Sequence, residues 1–132
     1  MASVDGWIYN FINNGVYKTG FAQSQYAYDQ AIKEYTDHMV KLDKHLAKKK
    51  FLVGDQFTLS DVRLFQTLIR NDEVYTVYFK CDTKTVREYK NIFRYCADVW
   101  QVRGVKETTN MNHIKMHYYT SHPRLNYYGI IP

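Results

Sequence analysis

Apolar residues recur at spacings of three and four over long stretches of this chain, and glycine and proline are almost absent from its interior. That is the pattern of packed amphipathic helices and predicts an all-α domain. The clearest run is Tyr28, Ile32, Tyr35, Met39, Leu42 and Leu46, which holds one face while Lys33, Glu34, Asp37, Lys41, Lys44 and Lys48 take the rest. This helix is expected to end near Lys48–Lys50, where cations suit the negative end of the helix dipole, so the lysine run reads as a solvated terminus rather than a binding patch. Phe51 to Phe57 follows as a short connection with a Gly54-Asp55 turn. Thr58 then reads as an N-cap, with Asp61 reaching back to its amide in a capping box and Phe57 placed to staple against Val62. The helix that starts there is expected to bury Val62, Phe65, Leu68 and Ile69 and to turn Arg63, Gln66 and Arg70 outward.

A third helix is predicted from about Lys84 to Val102 on the spacing of Val86, Tyr89, Phe93, Cys96 and Trp100, with Gly104 stopping it. Lys106 to Thr109 reads as a short turn. Asn110 can cap a last helix from Met111 to about Tyr119, with Met111, Ile114 and Tyr118 on one face, and the aperiodic stretch from Ser121 to Pro132 is expected to run irregularly over the surface. At the other end, Trp7 to Ile12 reads as a turn or two of helix, interrupted by Asn13-Asn14-Gly15 and resumed from Val16 to Ala22. A polar break between apolar turns is a local conflict, and it reads equally as a plain kink or as a functional feature.

Composition narrows the picture. With 132 residues, 18 Lys+Arg and 13 Asp+Glu the chain is one mildly basic domain, and 45% hydrophobic content excludes disorder. No apolar run is long enough to cross a bilayer, so no membrane partner is expected. Cations alternate with acids along each helix, so no nucleic-acid partner is expected either. The start of the sequence has no basic and apolar leader pattern, which leaves a cytoplasmic location as the expectation. Cys81 and Cys96 lack metal-finger or Cys-x-x-Cys spacing and suit a reducing compartment. Cys96 reads as a small buried hydrophobe, whereas an exposed position is open to Cys81, between Lys80 and Asp82.

The unusual number is 13 tyrosines, because each buried phenol needs a hydrogen-bond partner. Part of this excess sits in the run from Met111 to His122. His113 and His117 share a helix face at metal-ligand spacing, but Ile114-Lys115-Met116 between them lacks the glutamate of a His-Glu-x-x-His site, and no metal is expected. The dense set of neutral donors in His117-Tyr118-Tyr119-Thr120-Ser121-His122 can hold a phenolic or quinone-like ring. The same residues also fit a helix that packs its tyrosines on the core. Phosphate-binding loops and Gly-x-Ser-x-Gly elbows are missing, so nucleotide and serine-hydrolase chemistry have no support.

Five blocks together resemble one family. Ile12 to Ala22, with its Asn13-Asn14-Gly15-Val16-Tyr17 core, resembles the start of the C-terminal domain of glutathionyl-hydroquinone reductases, the xi class of glutathione transferases. Phe51 to Asp55 with Thr58 to Phe65, Arg70 to Tyr75 with Tyr78 to Cys81, Met111 to His122 and Gly129 to Pro132 agree with it in order. The resemblance implies a glutathione-transferase C-terminal helical bundle over residues 1–132, with the N-terminal thioredoxin-like domain absent from this stretch. In that family the thioredoxin-like domain carries the nucleophilic cysteine and binds glutathione as co-substrate, and an oxidoreductase reaction releases a hydroquinone from its glutathionyl conjugate. By the same resemblance Tyr17 and Tyr118 are the catalytic tyrosines facing the quinol ring, with Asn14, Tyr119, His113 and His117 as substrate-binding neighbours. Expected partners are a hydroquinone or glutathionyl conjugate, a thioredoxin-like domain and a second copy of the chain. The chain alone is expected to be inactive. A stand-alone helical interaction or oligomerisation module remains the alternative.

Overall fold

The computed structural model describes residues 2–132, with side chains from Val4 onward. Among the described residues seven α-helical segments appear in order: α1 Ala2–Ile8, α2 Gly15–Gly20, α3 Gln25–Leu46, α4 Leu59–Arg70, α5 Thr76–Tyr78, α6 Lys90–Trp100 and α7 Met111–Ser121. The described residues form no strand, and only two isolated bridges, Phe51 with Gly54 and Val53 with Gln56, tie the connection before α4. The all-α expectation is met.

α3 begins as its sequence demands. Ser24 is extended and its hydroxyl accepts the Ala27 amide at 3.1 Å, and the helix then buries Ala31, Tyr35, Met39, Leu42 and Leu46. Tyr28 and Ile32 are only half-buried. The helix stops at Leu46, short of the lysine run. The reason lies on α6: the Arg94 guanidinium donates to the carbonyls of Leu46 at 2.6 Å, Lys49 at 2.7 Å and Lys50 at 3.1 Å, filling the acceptors that a further turn would have used. The cap is mutual, because Asp43 of α3 accepts the amides of Asn91 at 2.9 Å and Ile92 at 3.0 Å at the start of α6. Each helix thus satisfies the other's orphan groups and fixes their crossing.

α4 sits at the centre. Its capping box is present, with the Thr58 amide donating to Asp61 at 2.9 Å. Asp61 is fully buried and also accepts Leu52 N at 3.0 Å and the Tyr95 hydroxyl at 2.8 Å, so one carboxylate ties the connection, α4 and α6 together. The buried face is Leu64, Phe65, Thr67 and Leu68; Val62, expected inside, is 38% exposed and lines a cavity with Phe57.

Two expectations needed a phase correction. The third helix begins at Lys90, not Lys84, because Thr85 and Glu88 close their own capping box around a 3-10 turn and Tyr89 is extended. That break resets the register: Val86 and Tyr89 are buried as expected, but the helix then buries Ile92, Tyr95 and Val99, leaving Phe93 50% exposed and Cys96 and Trp100 half-buried. At the N-terminus the Asn-Asn-Gly break is a π turn over Tyr9–Asn13, closed by the Asn14 amide on the Tyr9 carbonyl at 2.9 Å. A second π turn, Asn71–Tyr75, follows α4. Both turns put buried residues at the junction, Ile12 in the first and Asn71, Val74 and Tyr75 in the second. α7 starts as expected, with the Asn110 side chain accepting the His113 amide at 3.1 Å, and the chain beyond it is irregular.

No helix among the described residues is long and apolar enough to cross a membrane.

Candidate functional site

The π turn at Tyr9–Asn13 does local work through Asn13 rather than Asn14. Its side-chain amide donates to the Arg63 carbonyl at 3.1 Å and the Thr67 hydroxyl at 2.7 Å, which pins the start of α2 to α4. Asn14 takes part through its backbone, and no side-chain bond joins it to the tyrosines among the described residues. One turn later, α2 carries Tyr17 to the edge of the bundle, 40% exposed.

There the Tyr17 hydroxyl lies 2.7 Å from the Tyr118 hydroxyl of α7. The two tyrosines singled out in the sequence, 101 positions apart, therefore meet. Behind them stands a third phenol that the sequence reading did not pick: Tyr75 of the second π turn, 2% exposed, with its hydroxyl 2.8 Å from that of Tyr118. Phe79 floors the group, stacked on Tyr75 with ring centroids 5.3 Å apart and planes 4° from parallel, and touching Tyr17 at 5.3 Å. Phe21 and His122 close one side, their rings 5.3 Å apart. The His122 Nδ1 lies 3.0 Å from the Tyr78 hydroxyl. The signal for Tyr75 and Phe79 was their spacing of four within the blocks quoted above, which places both rings on one face once the π turn is known.

The other candidates stand apart. His117 is exposed, with its ring edge-on to Tyr118 at 5.1 Å. His113 is exposed on the far side and lines a cavity of about 300 Å³ with Gln66, Arg70 and Ile114. Tyr119 is buried against Tyr78, with ring centroids 4.7 Å apart, and its hydroxyl points to the Glu73 carbonyl at 3.5 Å, away from Tyr17. Among the described residues no three His, Cys, Asp or Glu side chains gather as metal ligands.

Burial raises the phenol pKa of Tyr75, and the hydrogen bond to Tyr118 adds to it. Tyr118 is also raised, first by burial and then by its bond to Tyr17, while the bond with Tyr75 and the charge of Arg70 pull the other way. Burial likewise holds Tyr35 and Tyr95 above the ordinary phenol value. The folded chain therefore keeps protons that the unfolded chain releases near pH ~10, so this contribution to stability is complete below that pH and fades as pH climbs above it. In an alkaline titration, part of the tyrosinate absorbance is expected to appear only together with loss of the helical circular dichroism. Complete ionisation of all 13 tyrosines with the helical signal intact would contradict this.

Chemically, the group offers phenolic donors in an aromatic box open on one side. It can stack on a flat ring and hydrogen-bond charge that develops on a ring oxygen. It offers no thiol nucleophile. Cys81 is fully buried, correcting the exposed position left open to it, and burial pushes its thiol up to about 12. Cys96 is pushed up to about 12 by burial as well.

The fold has matches among known proteins. The family described as "Glutathione S-transferase, C-terminal domain" matches residues 25–98. The chain is 44% identical over 128 residues to the glutathionyl-hydroquinone reductase YqjG of Escherichia coli, covering 97% of this chain and 39% of that protein. It is 40% identical to the glutathionyl-hydroquinone reductase PcpF of Sphingobium chlorophenolicum, covering 98% of this chain and 41% of that one. Among solved structures, the glutathione transferase Xi 1 of Trametes versicolor superposes with a TM-score of 0.94 at 42% identity, covering 98% of this chain and 45% of that one. The glutathione-bound structure of YqjG gives 0.96 at 43% identity, covering 99% and 42%. The chain spans about two fifths of the length of the curated relatives it matches.

Proposed function

The chain belongs to the glutathione S-transferase C-terminal domain family, and on that premise we propose that it forms the hydroquinone-side wall of a glutathionyl-hydroquinone reductase. The observation that carries this reading is the hydroxyl contact of Tyr17 with Tyr118 at 2.7 Å, at the open edge of an aromatic box that holds no reactive thiol. A thioredoxin-like domain supplies the cysteine and binds glutathione as co-substrate. Its thiolate attacks the sulfur of a glutathionyl-hydroquinone, the carbon–sulfur bond breaks, and the electron pair passes to the ring, which takes up a proton. A second glutathione then resolves the mixed disulfide. Tyr17 donates to the ring oxygen as charge builds on it, Tyr118 is bonded to Tyr17 behind it, and Phe79 and Tyr75 hold the pair in place. His117, edge-on to Tyr118, takes a flanking place. A cytoplasmic setting, where glutathione keeps thiols reduced, suits the two unpaired cysteines.

The reading is tested by assaying reduction of a glutathionyl-hydroquinone. The chain alone is expected to be inactive, and a fusion to the remaining part of the E. coli relative is expected to turn over. Tyr17→Phe or Tyr118→Phe in that fusion should slow it by about 10²-fold or more, the scale of a lost acid or oxyanion donor. Full rates in both variants, or robust turnover by the chain alone, would remove the basis for the proposal.

A second copy of the chain is a further proposed partner. Tyr9, Val77, Tyr127, Tyr128 and Ile130 are large apolar side chains between 59% and 84% exposed, apolar surface that a second copy would cover. Sedimentation equilibrium is expected to show a dimer or larger species, and a clean monomer at high concentration would rule this out.

A further inference from the structure

Hydroxyl protons can be counted in the tyrosine group, and burial orders them. Three phenols bring three protons to two oxygen–oxygen contacts, Tyr75 to Tyr118 at 2.8 Å and Tyr118 to Tyr17 at 2.7 Å. Tyr75 is 2% exposed, and its hydroxyl bonds first to that of Tyr118 at 2.8 Å, with Tyr17 a weaker second partner. A buried O–H with no acceptor is costly, so the Tyr75 proton lies on the Tyr118 oxygen. Tyr118 is 7% exposed. If Tyr17 also donated to it, the proton of Tyr118 itself would be the orphan. Tyr118 must therefore donate to Tyr17, and Tyr17, 40% exposed, keeps its own proton free.

We infer that the three hydroxyls form a one-way chain of hydrogen bonds, Tyr75 to Tyr118 to Tyr17, which presents the Tyr17 proton to the ligand and makes Tyr75 a positioning residue acting through Tyr118. Each hydroxyl that receives a hydrogen bond becomes a better donor, so the buried phenol strengthens the exposed one without touching the ligand. The site thus selects its ligand by offering a proton. It suits an aryl oxygen that accepts, a phenolate or a quinone carbonyl, over an aryl group with only N–H to offer. This ligand class rests on the function proposed above, whereas the direction of the chain does not.

Two measurements separate them. In the ligand-free chain, nuclear magnetic resonance of the hydroxyl protons is expected to show Tyr75 and Tyr118 in slow exchange and Tyr17 in fast exchange. A protected Tyr17 proton with a freely exchanging Tyr118 proton would overturn the direction. The second measurement titrates the chain with 4-nitrophenolate, followed by its absorbance shift, in a double-mutant cycle. Tyr75→Phe is expected to weaken binding by about two- to tenfold in the native background and to have no further effect once Tyr118 is phenylalanine. An equal loss in both backgrounds would mean that Tyr75 acts through the fold, and the positioning role would fall. Absence of any 4-nitrophenolate binding would count against the hydroquinone reading alone, since the hydroxyl-proton exchange still decides the chain.

Discussion

Asp61→Ala is expected to cost about 3–5 kcal/mol, a large part of the stability of a domain this size. The carboxylate is fully buried and serves the amides of Thr58 and Leu52 and the hydroxyl of Tyr95. Removing it strands four donors at once, the Thr58 hydroxyl at 3.3 Å included, and each buried donor left without a partner costs about 1–3 kcal/mol. Shape alone does not rescue the site. One carboxylate oxygen accepts from Leu52 and Tyr95 and the other from the Thr58 amide, so whichever way an asparagine is turned its NH₂ faces another donor. Asp61→Asn should therefore fall close to alanine. Tyr95→Phe, which removes one donor and leaves the acceptor in place, should cost clearly less. Urea unfolding followed by circular dichroism gives the ranking, and an Asp61→Asn midpoint equal to the native one would refute this account.

Gly20→Ala is the second large effect, and its sign is opposite to helix propensity. Alanine for glycine within an exposed helix is ordinarily stabilising by about 1 kcal/mol. At Gly20 an added Cβ would stand 2.3 Å from Cγ and Cδ1 of Phe79 and 2.7 Å from its Cβ. Phe79 is fully buried and held between Tyr75, Tyr17 and Phe21, so the ring has nowhere to retreat without disturbing the phenols. Overpacking of this kind costs about 1–3 kcal/mol and here also displaces the ring that packs against Tyr17 and Tyr75. Thermal unfolding should show the loss, and Phe79→Leu in the same chain should recover part of it. A Gly20→Ala chain more stable than the native one would mean that the backbone moves away freely.

Much of the architecture could be read from the sequence because its signals are local. The α4 capping box, the Asn110 cap and the apolar stripe of α3 each lie within a few turns, and each was found where expected. The misreadings came from breaks that periodicity does not register. An extended Tyr89 shifted the buried face of α6 by one residue, and a guanidinium from another helix ended α3 early. Of the aromatic group, Tyr17 and Tyr118 were legible through their family motifs, while Tyr75 was hidden because its position depends on a π turn, Asn71–Tyr75, that periodicity does not register. His113 and His117 share a helix face by spacing, yet neither joins the aromatic box, because that face turns outward.

The contact between the hydroxyls of Tyr17 and Tyr118 closes a loop of 101 positions. Local helix formation cannot bring those residues together, and the entropy of closing so long a loop must be met by prior docking of the intervening helices. The phenol group is therefore among the last features to assemble during folding. While the chain is being synthesised it holds no such group until the segment with Tyr118 has left the ribosome.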